Sequence, residues 1–349
     1  MSRQNKVCVV GASGLVGSSI VRCALEKGYT INGTVTNLNV PKKIKYIKAL
    51  PGAERLDLFT AHSENEEDFY EPLEDTNAVF IACLIPIYKG SDGTPSQEMD
   101  DVRGYKEIIM PTVNGCLNIL KASYKKGIRN VLICSSTSST NPSIAVRIKN
   151  ENDHWSDEKD QCKQKKYTSA AKTVMEKTAL QFCYKYGIRL NILLPTGLYG
   201  DAILPEHMNH NPFVWLKRVI EGGVPRHEIT PNNSVSMIHL RDLASLFIAA
   251  YEKQSSSGRY FGVYDSLHWK DIYEECNRLI RNSDEIEITV QKVNKTKKPS
   301  FKKPITNKTT YKKESGFCIR CEDEIKLNPK VPYCKKCFNS WKNYSNEDY

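Results

Sequence analysis

The strongest constraint on this chain is a glycine-rich turn near its start. A strand-like run at Lys6–Val10 breaks at Gly11. Gly11-Ala-Ser-Gly14-Leu-Val-Gly17 then leads into an amphipathic stretch, about Leu15 to Lys27, that closes at Gly28. The spacing G-x-x-G-x-x-G between a strand and a helix has a specific physical reading. Gly11 permits the tight turn, Gly14 lets the backbone approach a pyrophosphate, and Gly17 lets the helix pack close to the strand. The first amides of the helix then face the phosphate charge. The competing reading is a tight turn without a ligand.

The rest of the body continues the same rhythm. Tyr29–Val35, Val79–Leu84, Val131–Cys134 and Leu190–Leu194 read as strands. Tyr105–Lys126 and Lys172–Tyr186 read as helices, ending at Gly127 and Gly187. Strands alternating with helices of this length predict an α/β fold, a Rossmann-type doubly wound parallel sheet, without internal repeats.

Composition sets outer limits. The chain is 349 residues long, 40% hydrophobic and 26% charged, which supports a sizeable core. No apolar run approaches the ~20 residues that span a bilayer, and Met1–Lys6 lacks a signal-like apolar segment. A cytoplasmic protein without membrane partners is expected. The net charge of +10 is concentrated at one end, because residues 291–349 hold 15 Lys/Arg against 6 Asp/Glu. The body is neutral, as in a metabolic enzyme, and any binding of a polyanion belongs to the tail. Eight cysteines are scattered through the body, several in apolar runs, which fits a reducing compartment better than a disulfide framework.

Cofactor choice is read at the end of the second strand. NAD sites usually carry a carboxylate there for the ribose hydroxyls. The stretch here is Gly33-Thr-Val-Thr36-Asn37, without an acid, and Lys42 and Lys43 follow. This favours the extra phosphate of NADP(H) over NAD(H). The alternative is that both lysines are solvated surface residues.

Further segments carry a resemblance. They are Val9–Gly17, Gly33-Thr-Val with Pro41-Lys-Lys43, Leu50–Leu56, Pro111–Leu120 and Val131–Ser136. Leu194–Gly200, Met237–Ala244 and Ser257–Phe261 complete the set. In this order they resemble the extended short-chain dehydrogenase/reductase superfamily, nearest to the dihydroflavonol reductase and cinnamoyl-CoA reductase group within the epimerase/dehydratase superfamily. The resemblance implies a dehydrogenase/reductase domain over 1–290, with a substrate lobe mainly at about 200–235 and 262–290. It implies NADP(H)-dependent reduction of a ketone, aldehyde or thioester carbonyl of a small molecule, by a monomer or homodimer. In such enzymes a serine holds the carbonyl oxygen, a tyrosine supplies the proton, and a lysine lowers the tyrosine pKa and holds the ribose. Tyrosine ordinarily titrates near ~10, so a neighbouring ammonium is needed for acid–base work. The catalytic residues implied are Ser136, Tyr167 and Lys172. The implied cofactor contacts are Gly11, Ser13, Gly14, Leu15, Val16 and Gly17 of the turn, Thr36 and Lys43, Cys83, Lys172, and the segment Pro195, Gly197 and Leu198.

The pattern has departures. The tyrosine position, four before Lys172, is Thr168, and the nearest tyrosine is Tyr167. On a regular helix a spacing of five leaves side chains about 140° apart, against about 40° for a spacing of four. Three readings stand: an irregular helix start restores Tyr167 to the site; Thr168 occupies the position with catalysis lost or altered; or another arrangement operates, with Ser169 a candidate. The family arginine after the second strand is Thr36, and an acid expected near the adenine is His62. Asn114 and Asn118 are placed behind the site. His207, His210 and His227 fall in the expected lobe, and His239 at a strand end; satisfied or surface roles are favoured for them.

Residues 291–313 hold nine lysines and no acid, a flexible basic linker. Residues 314–349 carry Cys318-x2-Cys321, then Cys334-x2-Cys337. This spacing suits four thiolates around one structural Zn2+ and predicts a small zinc ribbon. Lysines interleaved with Tyr333, Phe338, Trp341 and Tyr344 leave either a protein-docking knob or a nucleic-acid contact open for the tail. Beside the reductase stand three rivals: a catalytically impaired cofactor-binding scaffold or sensor, a nucleotide-sugar epimerase or dehydratase, and a nucleic-acid-binding tail.

Overall fold

Strand β1 (Lys6–Val10) sends Val7 and Val9 to one side of a sheet and Cys8 and Val10 to the other, as the two-residue period of a strand requires. All four are buried, so the strand is covered on both faces, and its continuous apolar run reflects that. The computed structural model describes residues 5–281, apart from positions 83, 85, 86, 145, 222, 224 and 228, and two strands near the C-terminus. The chain divides into two compact units, Met1–Glu287 and Ile288–Tyr349.

After β1 come α1 (Leu15–Glu26), β2 (Thr30–Val35), α2 (Pro41–Lys48), β3 (Leu56–Thr60) and β4 (Ala78–Ile81). A short α3 (Asp101–Arg103) runs through a π-helical turn, Gly104–Ile109, into α4 (Met110–Lys125). Then follow β5 (Asn130–Cys134), α5 (Glu158–Lys163), α6 (Tyr167–Tyr186), β6 (Arg189–Pro195), β7 (Leu198–Tyr199), α7 (Asn211–Ile220) and β8 (Ser234–His239). The unit continues with α8 (Leu240–Glu252), β9 (Gly258–Gly262), β10 (Asp265–His268) and α9 (Trp269–Arg281).

Seven strands form one parallel sheet in the order β3-β2-β1-β4-β5-β6-β9. The order reverses between β1 and β4, which opens a crevice beyond the carboxyl ends of those strands. Helices α1 and α8 pack together over one face, and α4 and α6 over the other. Strands β7, β8 and β10 form a separate three-stranded sheet. Beside it Trp215, Trp269, Tyr199, Tyr273 and His227 stack edge-on around a small apolar core.

Three differences from the sequence reading have physical causes. The helix expected over Tyr105–Lys126 opens as a π turn. Pro111, in the first turn of α4, has no N–H to give the carbonyl one turn back, so the ladder there takes a wider register. Helix α6 begins at Tyr167, five residues before the expected Lys172, because Tyr167, Ala170 and Ala171 are core residues. Strand β4 ends at Ile81, short of Leu84.

In the second unit, β11 (Ser315–Phe317) and β12 (Glu324–Lys326) pair antiparallel. No helix among the described residues is long and apolar enough to cross a membrane.

Candidate active site

The glycine turn lies at the carboxyl end of β1, beside the reversal point. Gly11 has φ +79°, a conformation open to glycine. A Cβ on Gly17 would stand 2.0 Å from the Gly11 carbonyl oxygen, so the helix approaches the turn as closely as backbone allows. Thr34 of β2 fixes the turn, its hydroxyl accepting from the Gly11 N–H at 3.2 Å and its carbonyl from the Ala12 N–H at 2.8 Å. Helix α1 starts behind Gly14 with no side-chain cap and no acid in its first turn. Its leading amides are thus open to an anion, and the turn fits a dinucleotide pyrophosphate.

At the end of β2, Thr36 is exposed. Lys43, on α2, has its ammonium 3.2 Å from Glu206. His207, the next residue, is buried, with Nε2 3.0 Å from the Ser13 carbonyl oxygen. Cys83 lies outside the described residues.

Ser136 follows β5, with an extended backbone. Its Oγ accepts from the Ser138 N–H at 3.1 Å, and no described hydrogen bond takes up its own proton. Two buried anchors hold this strand end. Ser135 donates to the Glu176 carboxylate of α6. Glu176 in turn accepts from Arg259 Nε of β9 at 2.9 Å, both side chains being almost fully buried. The same guanidinium reaches Ser139 Oγ at 3.0 Å and the carbonyls of Glu151 and His154, and lies 3.4 Å from the centre of the Trp155 ring. Burial pushes the Glu176 carboxyl pKa up, and Ser135 and Arg259 pull it back. On the other side Thr173 donates to Gln161, and Gln161 donates to the Ser138 carbonyl at 2.9 Å. Helix α6 therefore packs against the Thr137–Ser139 turn with Lys172 on it, half-buried and without a described hydrogen bond or ion pair.

The structure does not bring Tyr167 to Ser136 or Lys172 through any described hydrogen bond. The tyrosine starts a regular helix and is wholly buried. Its hydroxyl donates to Asp101 Oδ1 at 2.7 Å, near the Met99 carbonyl, and accepts from Lys165 at 3.2 Å. Its ring lies against Gly104, where a Cβ would come within 2.5 Å of ring carbons. Burial, then the Asp101 carboxylate, push the phenol pKa above its ordinary value, the opposite of what proton donation at neutral pH asks. The backbone is irregular just before the helix, with Lys165 at φ +58°, but from Tyr167 onward the helix is regular, so of the three readings the one that returns Tyr167 to Lys172 has no described contact behind it. Thr168 shares the Lys172 face, and its hydroxyl donates to the Ile87 carbonyl at 2.9 Å.

Pro195 ends β6, buried, and Gly197 passes within hydrogen-bonding distance of Ile238 as Leu198 enters the lobe sheet. Tyr199, Ile238, His239 and Tyr264 help line a cleft of about 240 Å³ there. Asn118 donates to the Ser63 and Glu64 carbonyls, and Asn114 is exposed. His62 Nδ1 lies 3.1 Å from Asp68 Oδ2. His227 bonds the Tyr273 hydroxyl, and His239 caps α8. Cys318, Cys321, Cys334 and Cys337 lie outside the described residues, and no metal-ligand cluster occurs among the described ones.

Residues missed by sequence reasoning are Glu176, Arg259, Gln161, Glu206 and Asp101. Glu176 carried one signal, a charged residue beside Met175 on the core side of α6.

Residues 7–263 match the NAD dependent epimerase/dehydratase family. The chain belongs to that family. Within reach of it, dihydroflavonol 4-reductase of Zea mays is 30% identical over 268 residues, covering 74% of this chain and 70% of its own length. Cinnamoyl-CoA reductase CAD2 of Medicago truncatula is 30% identical over 278 residues, covering 77% and 78%. The fold of this chain is similar to vestitone reductase from alfalfa (TM-score 0.62, 23% identity, 81% of this chain and 86% of that one). It is also similar to yeast methylglyoxal/isovaleraldehyde reductase Gre2 complexed with NADPH (TM-score 0.64, 18% identity, 78% and 82%).

Proposed function

We propose that this family member is an NADP(H)-dependent reductase of a ketone, aldehyde or thioester carbonyl in a small molecule. The observation that carries the reading is the open glycine turn at the sheet's reversal point, with the anchored Ser136 at the end of β5 and Lys172 on the helix packed beside it. The named relatives, a dihydroflavonol 4-reductase and a cinnamoyl-CoA reductase, support it. The bound cofactor would supply the hydride. Gly11, Ser13, Gly14, Leu15, Val16 and Gly17 would hold its pyrophosphate, Thr36 and Lys43 its adenosine end, and Pro195, Gly197 and Leu198 its nicotinamide side. Ser136 would donate a hydrogen bond to the substrate carbonyl oxygen, drawing charge off the carbonyl carbon, and the alkoxide left by hydride addition would take its proton from solvent water, since the Tyr167 phenol is held by Asp101. Lys172 would hold the ribose. Binding of NADPH and NADH by calorimetry, followed by turnover of aldehydes, ketones and CoA thioesters, tests the reading. Ser136→Ala and Lys172→Ala should each lower turnover at least about 10²-fold with cofactor binding retained for Ser136→Ala. Unchanged turnover in both variants would remove the assignment.

One observation favours a second reading, a cofactor-binding protein with reduced or absent catalysis: the Tyr167 phenol is held by Asp101 and Met99. NADPH binding without turnover of any carbonyl class would select it.

For the second unit, Cys318, Cys321, Cys334 and Cys337 are proposed to hold one structural zinc. Four thiolates leave no open position for chemistry. The pairing of β11 with β12 around the first cysteine pair supports a ribbon. Metal content of the full chain, near one zinc per chain and lost in Cys318→Ser, is the check.

A further inference from the structure

The short turn Pro205–Asn209 lies against the cofactor turn, although about 190 residues of chain separate them. Leu204 and His207 are buried, and the imidazole is satisfied at both nitrogens. Its Nδ1 accepts from the Leu204 N–H at 3.3 Å, which leaves the proton on Nε2, donated to the Ser13 carbonyl at 3.0 Å. The histidine thus straps residues 204–207 to the glycine turn. The strap carries Glu206 to a fixed place, with its carboxylate 3.2 Å from the Lys43 ammonium. Helix α2 holds four lysines, Lys42, Lys43, Lys45 and Lys48, and no acid. Among the described residues, Lys43 alone of these has an ion-pair partner. Glu206 comes from another element, and an exposed carboxylate there has no packing task.

We propose that Glu206 is a specificity-determining residue that competes with a cofactor 2′-phosphate for the Lys43 ammonium and so limits the preference for NADPH over NADH. The inference rests on the reading of the turn as an NADP(H) site. A dianionic phosphate brought to Lys43 meets the Glu206 carboxylate as a like charge and must displace it from the ammonium. A 2′-hydroxyl meets no such repulsion. The pair also keeps Lys43 placed when no cofactor is bound.

The experiment is calorimetric titration of the full chain with NADPH and with NADH, for the wild type, Glu206→Gln, Lys43→Ala and the double variant. Glutamine keeps the shape of an exposed side chain, so folding is not at issue. Because the pair is solvent-exposed, the expected change is modest. The NADH/NADPH ratio of dissociation constants should rise about two- to fivefold in Glu206→Gln. The gain should vanish in the Lys43→Ala background, as the coupling of a double-mutant cycle requires. A ratio that is unchanged or lower in Glu206→Gln overturns the proposal, as does a gain that persists without Lys43. A wild type that binds neither nucleotide fails the dinucleotide reading itself, and the proposal with it.

Discussion

At the scale of single residues, Tyr167 and His207 show how burial decides chemistry. The Tyr167 hydroxyl is spent on Asp101, so Tyr167→Phe should cost stability, about 1 kcal/mol in a denaturant melt. Turnover per folded molecule should stay within a fewfold; a loss of about 10²-fold would show that the phenol is the proton donor after all. The five-residue spacing already set Tyr167 off the Lys172 face, but its partners were not legible, because they are Gly104 and Asp101, 63 and 66 positions away. His207 is neutral by geometry, and burial, its main cause, holds its pKa below the ordinary ~6.5. The sign follows: above ~6.5 both folded and unfolded chains leave it neutral, and below that the unfolded chain takes up a proton first. Stability should therefore fall as pH drops below ~6.5 and level off beneath the folded pKa. The fall should be weaker in His207→Gln, measured as the denaturant midpoint between pH 8 and 5.

At the scale of elements, the pair Glu176–Arg259 joins α6 and β9 to Ser135 and Ser139, the neighbours of Ser136 after β5. Removing one charge of a buried pair leaves the other uncompensated, so Glu176→Gln should cost about 3–5 kcal/mol by denaturant melt. A cost under about 1 kcal/mol would mean that the neighbouring serines and carbonyls carry the guanidinium alone. Strands β1, β2, β5 and β6 were legible from apolar runs because both of their faces are covered. Helix α4 was legible in extent, and its π start was not. Pro111 marks it locally, but that start also depends on how Gly104 meets the Tyr167 ring, a tertiary matter. The serine at the end of β5 was legible, while the anchors that hold it, from α5, α6 and β9, were not.

At the scale of the whole molecule, two units with separate sources of stability predict two separable responses. NADPH at about a hundredfold its dissociation constant should stabilise the first unit by about 2.7 kcal/mol, a rise of several degrees in its melting temperature. A chelator should strip the proposed zinc unit and leave NADPH binding by the full chain unchanged. Loss of both together would deny the independence of the two units.

By itself, the sequence determined the parallel α/β sheet, the glycine turn between β1 and α1, the family and the serine and lysine candidates. Each of these is written locally, in a two-residue or helical period or in glycines spaced along one turn. Only the tertiary structure decided that Tyr167 faces Asp101, that Glu176 and Arg259 pair and hold Ser135 and Ser139 on either side of Ser136, and that Glu206 meets Lys43. Those contacts join residues 41 to 163 positions apart, and their energies depend on burial and on a partner's charge. Neither quantity is carried by the spacing of residues along the chain.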